Sequence, residues 1–214
     1  MPVSPENALP LRERKKRRTR RELADTALRL FLDQGFEATT LDDLVDTVEI
    51  SKRTFFRTFP SKEAVALAAE TELWDAYLER VAALRPRGEV LGVLHEALTG
   101  TLAGMGPEWT GRFLATRGLA ARTPALRDHS DLTSIAVQRR LVELLEDRLG
   151  IDSRGDVRLR LLGEMALAAW RCAAKNWVRS GPGAREDGVR LATLITAVDE
   201  AFAALPAAVT LGAD

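Results

Sequence analysis

Apolar residues recur at helical spacing along most of the chain, and glycine, proline and short polar runs divide them into separate segments. In the first segment Leu23 and Ala27 fall on one face, and Gly35 stands where a helix commonly closes in a left-handed conformation. Thr19 and Glu22 precede Leu23 at the spacing of a capping box, in which each side chain satisfies a free backbone donor. The pattern therefore predicts a first helix that begins at Thr19.

Two short amphipathic helices joined by a tight turn follow this first helix. One begins at Thr40, and the other is capped by Ser51 and stopped by Pro60. Glu49 and Ile50 form the turn between them. Two short helices with a tight turn are typical of a helix-turn-helix.

The second short helix is apolar on one side and basic on the other. At about 100° per residue, Phe55 and Phe59 point inward, whereas Arg53 and Arg57 point the opposite way. Such a helix suits the major groove of DNA, where arginine can donate two hydrogen bonds to a guanine edge. An ordinary helical hairpin with a solvated basic face is the structural alternative.

The distribution of charge favours DNA binding over that alternative. The chain has no net charge, but residues 1–62 contain 13 Lys and Arg against 10 Asp and Glu, and the remainder contains 18 against 21. Eight of the eleven residues from Leu11 to Arg21 are basic. A basic segment beside a helix-turn-helix predicts an arm that contacts the phosphate backbone.

The rest of the chain is rich in Ala and Leu and continues the helical spacing. Ser61 caps a long helix that reaches about Leu84, and later helices are predicted near 88–104, 107–119, 131–149, 155–179 and 185–205. We therefore predict an all-α protein of about nine helices. Its predicted divisions are a disordered basic arm at 1–18, a three-helix helix-turn-helix DNA-binding domain at 19–62, a larger helical effector-binding and dimerisation domain at 63–205, and a frayed tail at 206–214.

Catalytic and metal-binding chemistry finds no support in the sequence. The chain has two histidines and one cysteine, which form no ligand cluster, and no glycine-rich phosphate loop follows a strand. Cys172 is best explained as a buried inert thiol. We therefore expect no enzyme activity and no cofactor. No apolar run reaches signal-peptide or membrane-spanning length, which predicts a cytoplasmic protein without membrane contact.

Residues 16–66 resemble the amino-terminal domain of the TetR family of transcriptional regulators. The resemblance is carried by Gly35-Phe36, Thr39-Thr40, Ile50-Ser51-Lys52, and the run from Thr54 through Phe59 to Ala64. It implies an all-helical homodimer that binds a palindromic operator and releases it when a small molecule binds the carboxy-terminal domain.

Two positions depart from the family pattern. Glu49 stands where the family often has Gly, and a left-handed non-glycine residue costs on the order of 1 kcal/mol, so we expect a differently shaped turn. Phe56 stands where the family often has Tyr. Phe56 cannot donate a hydrogen bond to phosphate. We expect it to contact either a sugar or a thymine methyl group instead.

The candidate DNA-contacting residues lie on the basic arm, at the helix starts or on the second short helix. They are Arg17, Arg18, Arg20, Thr39, Thr40, Ser51, Lys52, Arg53, Thr54, Phe56, Arg57 and Lys62. Free backbone donors at the helix starts favour phosphate oxygens, and Lys62 adds positive charge there.

Six aromatic residues of the body could surround a ligand cavity, and plain core packing is the alternative. The stretch 113–129 and the later tryptophans loosely resemble regulators whose effector domain is associated with acyl-coenzyme-A-like ligands. The candidate ligand-binding residues are Trp74, Tyr77, Trp109, Phe113, Arg117, Trp170 and Trp177.

The last two predicted helices carry broad apolar stripes. In the family that the chain resembles, the final two helices pair with their symmetry mates. A dimer also follows from DNA geometry, because two short helices related by a two-fold axis read half-sites about 34–36 Å apart. The candidate interface residues are Leu159, Leu162, Ala166, Leu194, Ile195, Val198 and Phe202.

The leading hypothesis is a homodimeric repressor that binds a palindromic operator in double-stranded DNA. A small hydrophobic or acyl-type effector, not identified by the sequence, would release it. Two alternatives remain open. One is an architectural DNA-binding protein without an effector, and the other is a helical ligand-binding protein without a specific DNA target.

Overall fold

A computed structural model describes residues 11–85, 88–181 and 187–212, and these residues form only helices, turns and loops. The helices are α1 (Leu11–Gln34), α2 (Leu41–Thr47), α3 (Lys52–Thr58), α4 (Lys62–Ala66), α5 (Ala68–Ala83), α6 (Val90–Gly104), α7 (Pro107–Arg122), α8 (Pro124–Leu149), α9 (Arg158–Arg179) and α10 (Asp187–Val209). The all-α fold class is confirmed.

Helix α1 begins at Leu11 and not at Thr19, so the predicted helix start is wrong. Thr19 lies within the helix, and Glu22 forms an ion pair with Arg18, at 2.7 Å from its Nε, rather than closing a capping box. The basic residues 12–21 are thus helical, as the good helix propensity of Arg, Lys and Glu allows. The predicted disorder of residues 1–10 lies outside the described part of the chain.

The two short helices begin where their caps predict. Thr40 caps α2 in a capping box with Asp43, and Ser51 caps α3 by accepting a hydrogen bond from the Thr54 backbone N–H. The turn between the helices keeps a left-handed residue although no glycine is present, because Glu49 has a φ of 54°. The turn therefore keeps its left-handed shape at the cost of backbone strain at Glu49, and the expected change in shape is wrong.

The predicted long helix after Ser61 is divided into α4 and α5 by Leu67, whose φ of −99° and ψ of 19° interrupt it. Helix α8 starts at Pro124, seven residues before the predicted 131, with the proline in its first turn. Helix α10 continues past Pro206 to Val209, so the predicted fraying from 206 onward is wrong for the residues up to Val209.

Two apolar clusters organise the fold. One fills the body, and the other fills the head, which we define as α1 to α4. Residues 64–67 of α4 and the loop after it, together with Leu119, Ala120 and Leu126 of the body, belong to the cluster of the head. The head therefore packs onto the ends of α7 and α8. Helix α4 packs with the head, although the predicted boundary at residue 62 assigned most of it to the body.

By length and composition, the segment Gly188–Val209 of α10 could cross a membrane, although no such segment was expected. Only 17% of its most apolar stretch is buried inside the protein. Length and composition alone do not distinguish a membrane span from a helix whose exposed side meets another protein.

Candidate nucleic-acid interface

Helix α3 separates an apolar side from a mainly cationic one. Phe55 and Phe59 are completely buried, at 0% exposure, and they join the core of the head. The exposed residues of the helix are Lys52, Arg53, Phe56 and Arg57. The inward and outward orientations that the spacing predicts are therefore confirmed.

Polar contacts from its own N-cap and from α1 hold α3 in place. The Ser51 hydroxyl accepts a hydrogen bond of 3.2 Å from the Thr54 backbone N–H. Arg20 of α1 donates from Nη1 to the carbonyl oxygen of Thr58 at 2.6 Å, and its guanidinium lies 4.2 Å from the centre of the Phe59 ring. Arg20, a candidate DNA contact, thus ties α1 to the end of α3.

The two threonines before α2 have different roles. Thr39 is completely buried and donates from Oγ1 to the Gly35 carbonyl oxygen at 2.8 Å, so its side chain has no access to DNA and that prediction is wrong. Thr40 is exposed, and both its backbone N–H and its hydroxyl donate to Asp43 Oδ2 at 2.7 Å. The Thr40 backbone hydrogen bond, followed by that of the hydroxyl, lowers the pKa of Asp43.

Two lysines of the predicted interface have partners within the protein. Lys52 Nζ lies 2.6 Å from Asp42 of α2, and both side chains are exposed, so a phosphate can compete for this lysine. Lys62 Nζ donates to the carbonyl oxygens of Phe36 and Thr39 at 2.8 and 2.9 Å. Lys62 Nζ also lies 4.2 Å from the centre of the Phe36 ring, so a phosphate oxygen would compete with these partners for its third donor.

The amino-terminal part of α1 presents an exposed basic surface. Residues 15–19 are all exposed, and among them Lys15, Lys16 and Arg17 lie on the first turns of the helix. Arg18 is already paired with Glu22. Residues 11–18 of the basic arm that the sequence predicts are therefore helical and form an extension at the amino-terminal end of α1.

Helix α7 connects the body to the junction between α4 and α5. Trp109 Nε1 donates to the Ala69 carbonyl oxygen at 2.9 Å, and Thr116 Oγ1 donates to the Ala66 carbonyl oxygen at 3.3 Å. These two acceptors lie on either side of Leu67. Helix α7 therefore holds both sides of the break at which the head joins the body.

A charged cluster extends this connection to α1. Arg112 of α7 donates from Nη2 to Glu72 at 2.7 Å, and Arg21 of α1 donates to the other oxygen of Glu72 at 2.9 Å. Arg112 Nε also lies 3.8 Å from Asp25 of α1. With 16% of its side chain exposed, Arg112 is the most buried member of this cluster.

Comparisons with known proteins agree with this geometry. The family described as bacterial regulatory proteins, tetR family, matches residues 23–69. The transcriptional regulator TcmR of Streptomyces glaucescens is 35% identical over 180 residues, which cover 80% of this chain and 78% of TcmR. The chain belongs to the TetR family.

Two further comparisons are weaker. The repressor NemR of Escherichia coli K12 is 37% identical over 71 residues, 33% of this chain and 36% of NemR. The match to the solved structure of Salmonella enterica GusR covers 86% of this chain and 95% of the GusR chain, with 18% identity and a TM-score of 0.48. Like its relatives, this TetR-family chain is a helix-turn-helix transcriptional regulator that binds DNA, and the family is not enzymatic.

The six candidate ligand-binding aromatics of the TetR-family body form one packed cluster, and each is between 1% and 4% exposed. Trp109 stacks on Phe113 with ring centres 4.8 Å apart, and Phe113 lies 5.7 Å from Trp170. Trp74 meets the same Trp170 edge-on at 5.7 Å. Core packing, the alternative to a cavity lining, therefore describes these residues in this structure.

Two polar groups among the candidate residues bear on ligand binding. Trp74 Nε1 is buried and donates to no acceptor among the described residues. Arg117, the seventh candidate, lies 3.3 Å from Glu70 and 3.1 Å from the Ser130 hydroxyl. Since Glu70 is only 5% exposed, Arg117 supports a buried carboxylate.

A cleft of about 970 Å³ lies between α1 and the body, and its lining includes Arg20, Asp25, Glu72, Arg80 and Arg112. None of the seven candidate ligand-binding residues lines this cleft. Cleft and aromatic cluster are thus separate, and the charged cluster around Arg112 belongs to the cleft.

Most of the candidate dimer residues are buried within a single protomer, which makes their assignment as interface contacts wrong. Those between 0% and 6% exposed are Leu159, Ala166, Leu194, Val198 and Phe202. Leu162 and Ile195 are partly buried against the same core. The spacing detects an apolar face correctly but cannot tell which of two apolar faces packs inward.

Sequence reasoning missed the outer faces of the last two helices. On α9, Leu161, Met165, Ala168 and Cys172 follow one another at helical spacing and are exposed or partly exposed. Cys172, expected to be buried, is exposed. The outer face of α10 carries the small side chains of Ala192, Thr196, Ala203 and Ala207, with the exposed Asp199 and Glu200 between Thr196 and Ala203. We call these two rows the outer stripes.

Proposed function

We propose that this protein is a cytoplasmic, homodimeric, ligand-responsive repressor that reads a palindromic operator through α3. The observation that carries the proposal is the exposed row of Lys52, Arg53 and Arg57, fixed by two completely buried phenylalanines. Arg53 and Arg57 are the proposed base-reading residues, because arginine donates bidentately to guanine. Ser51, Thr54, Lys52 and Lys62 are proposed to contact the backbone and set the register.

Replacement of one arginine tests the reading role of α3. Arg57→Ala is expected to weaken operator binding by about 1–3 kcal/mol per half-site, because a bidentate base contact is lost. Arg139→Ala, which changes an exposed arginine on α8, is the matched control and should bind as wild type does. Fluorescence anisotropy with operator DNA measures both. Unchanged binding of Arg57→Ala would overturn the assignment of α3.

The outer stripes support a homodimer built on α9 and α10. An apolar row on α9 and a row of small residues on α10 allow close packing against a second copy, and they account for the apolar composition of α10 without a membrane. Two heads related by a two-fold axis would present their α3 helices to two half-sites.

The single cysteine provides a direct test of this interface. Cys172 lies on the α9 outer stripe, so a short bismaleimide should link two wild-type chains, and Cys172→Ser should remove the linked band. Leu161→Glu, which places a charge on the stripe, should give monomers in sedimentation velocity. Arg160→Glu, an exposed neighbour, is the control that stays dimeric. A dimer unaffected by Leu161→Glu would contradict the stripe as its interface.

A small hydrophobic effector is proposed to act at the aromatic cluster. The buried Trp74 N–H has no acceptor among the described residues, and leaving such a donor unpaired costs about 1–3 kcal/mol, so a ligand with an oxygen acceptor would be favoured there. Binding would displace part of the Phe113 and Trp170 packing. Trp109 stacks on Phe113 and also donates a hydrogen bond to the Ala69 carbonyl oxygen of α5. A shift of Phe113 would therefore move Trp109 and alter the junction of head and body.

Effector binding is tested by thermal-shift screening followed by operator release. A true effector raises the melting temperature in a concentration-dependent way and lowers operator affinity, since it prefers one of two states. Trp74→Phe should weaken the response while the operator affinity without ligand stays the same. The screen should include acyl-coenzyme-A-like compounds, because the loose resemblance of the body predicts an effector of that class.

The close packing of the aromatic cluster favours one alternative, an architectural DNA-binding protein without an effector. This alternative predicts that no compound both stabilises the protein and releases the operator.

A further inference from the structure

Phe56 is a large apolar side chain that the fold leaves in solvent on the DNA-facing side of α3. It is 53% exposed, whereas the two other phenylalanines of the α3 region, Phe55 and Phe59, are completely buried. Its ring meets Phe55 edge-on, with centres 5.5 Å apart and planes at 89°. The ring is therefore held against the buried core while most of its other side remains free.

The surroundings of Phe56 indicate where it lies relative to DNA. It follows Arg53 by three positions and precedes Arg57 by one, and all three are exposed. At about 1.5 Å of rise per residue, Phe56 is about 4.5 Å along the helix from Arg53. At about 100° per residue, Phe56 lies about 60° around the helix from Arg53 and about 40° from Lys52. Its ring therefore stands between the proposed base-contacting side and the proposed backbone-contacting side, where it can reach a base edge next to those of the arginines.

The chemistry of the ring then limits its partner. A phenyl group donates no hydrogen bond, so it cannot bind phosphate oxygens or the acceptor atoms of purines through hydrogen bonds. The C5 methyl group of thymine is the apolar group that bases present in the major groove, and phenylalanine is among the residues that contact it. Of the two alternatives left by the sequence, the base methyl is the one that would make this contact depend on the DNA sequence.

We infer that Phe56 is a specificity-determining residue that reads thymine through its C5 methyl group, at a base pair beside those contacted by Arg53 and Arg57. The inference rests on the proposed operator reading by α3 and adds the base that the aromatic position selects. Each subunit of a dimer would read one such thymine, so the preferred base pair would occur once in each half-site.

Removal of single methyl groups from the operator tests the inference. An operator is first selected from random double-stranded DNA with the wild-type protein, and each symmetric pair of thymines is then replaced by uracil. Uracil keeps every hydrogen-bonding group and lacks only the methyl. Wild-type protein should lose about three- to fivefold in affinity per methyl at one symmetric position, the value expected for one buried methyl group.

Variants at position 56 connect that loss to the ring. Phe56→Ala should bind the thymine and uracil operators equally at this position, so the two changes together should cost no more than Phe56→Ala alone. Phe56→Leu should retain part of the preference for thymine, because it keeps an apolar side chain. Leu132→Ala, which removes a 66% exposed side chain on α8, is the control and should keep the full sensitivity.

Several outcomes would overturn the inference. One is that the wild-type protein tolerates uracil at every position. Another is that Phe56→Ala loses affinity for both operators while the uracil effect persists, which would place the ring on a sugar. These failures are distinct from failure of the proposed function, in which the wild-type protein selects no sequence from the random pool. Circular dichroism melting of each variant separates a lost contact from a lost fold.

Discussion

Glu49 holds the turn between α2 and α3 in a left-handed conformation, with a φ of 54°. This conformation costs a non-glycine residue about 1–2 kcal/mol, which Gly avoids. Glu49→Gly also adds about 0.5–1 kcal/mol of unfolded-state entropy, so we expect its free energy of unfolding to rise by at most about 1 kcal/mol in urea denaturation.

The opposite substitution at another left-handed position is the control. Gly35 has a φ of 90°, and an added Cβ would meet no atom within 4 Å, so any loss in Gly35→Ala is conformational. Its unfolding free energy should fall by about 1–2 kcal/mol. A Glu49→Gly protein less stable than wild type would show that the Glu49 side chain stabilises the turn by other means.

Asp43 links the stability of α2 to pH. Hydrogen bonds from the Thr40 backbone N–H and hydroxyl lower the pKa of Asp43 in the folded state. The resulting stabilisation is therefore present above the unfolded pKa of about 3.9 and is lost as pH falls through the lower folded value. Asp43→Asn keeps an acceptor but cannot titrate, so its loss of stability between neutral and acidic pH should be smaller than that of wild type.

Urea unfolding at pH 7 and at pH 3 measures this difference. Asp46→Asn, which changes an exposed acid in the same helix, should follow the pH dependence of wild type. Parallel curves for Asp43→Asn and wild type would rule out a contribution from the cap.

At the scale of elements, α7 is the connection between head and body, and Arg112 is its most testable contact. Arg112→Ala should lower the free energy of unfolding by about 1–3 kcal/mol, because a largely buried, charged hydrogen bond to Glu72 is removed. Arg140→Ala is the matched control. Its partner Glu143 and Arg140 itself are more than half exposed, so a loss of at most about 1 kcal/mol is expected.

A double-mutant cycle with Glu72→Gln checks the cause of that loss. If Arg112 acts through Glu72, the two changes together should cost less than the sum of the single ones. Additive losses would assign the effect of Arg112 to packing or to Asp25, which lies 3.8 Å from it.

Local signals explain which elements the sequence predicts. The limits of α2 and α3 follow from Thr40, Ser51 and Pro60, because caps and proline act within a few residues. The start of α1 is missed because the spacing of Thr19 and Glu22 also fits the middle of a helix. The break at Leu67 has no Gly or Pro to mark it, and α7 contacts on both sides of it are tertiary.

The candidate site shows the same division. Inward Phe55 and outward Arg57 follow from helical periodicity, whereas the burial of Thr39 depends on its hydrogen bond to Gly35 within a loop. In α9 both the core face and the outer stripe are apolar, so composition alone could not assign Leu159 to the core and Leu161 to the surface.

At the scale of the whole molecule, a net charge of zero conceals a basic head. Lys15, Lys16 and Arg17 are exposed on the extension of α1, where they add to the positive charge of α3. Binding that neutralises phosphates releases counterions, so the logarithm of affinity falls with the logarithm of salt by about 0.9 per contact. Two copies of the chain would double the contribution of each residue.

Neutralising the extension therefore tests the arm and the dimer together. Replacing these three residues by Gln should weaken binding to operator and random DNA alike and reduce the salt slope by up to about 5, from six contacts in a dimer. A monomer would lose at most about half of this. The control replaces Arg139, Arg140 and Arg148 on α8 by Gln, which leaves the net charge equal to that of the test variant. If both variants change the slope equally, overall charge rather than contact by the arm controls binding.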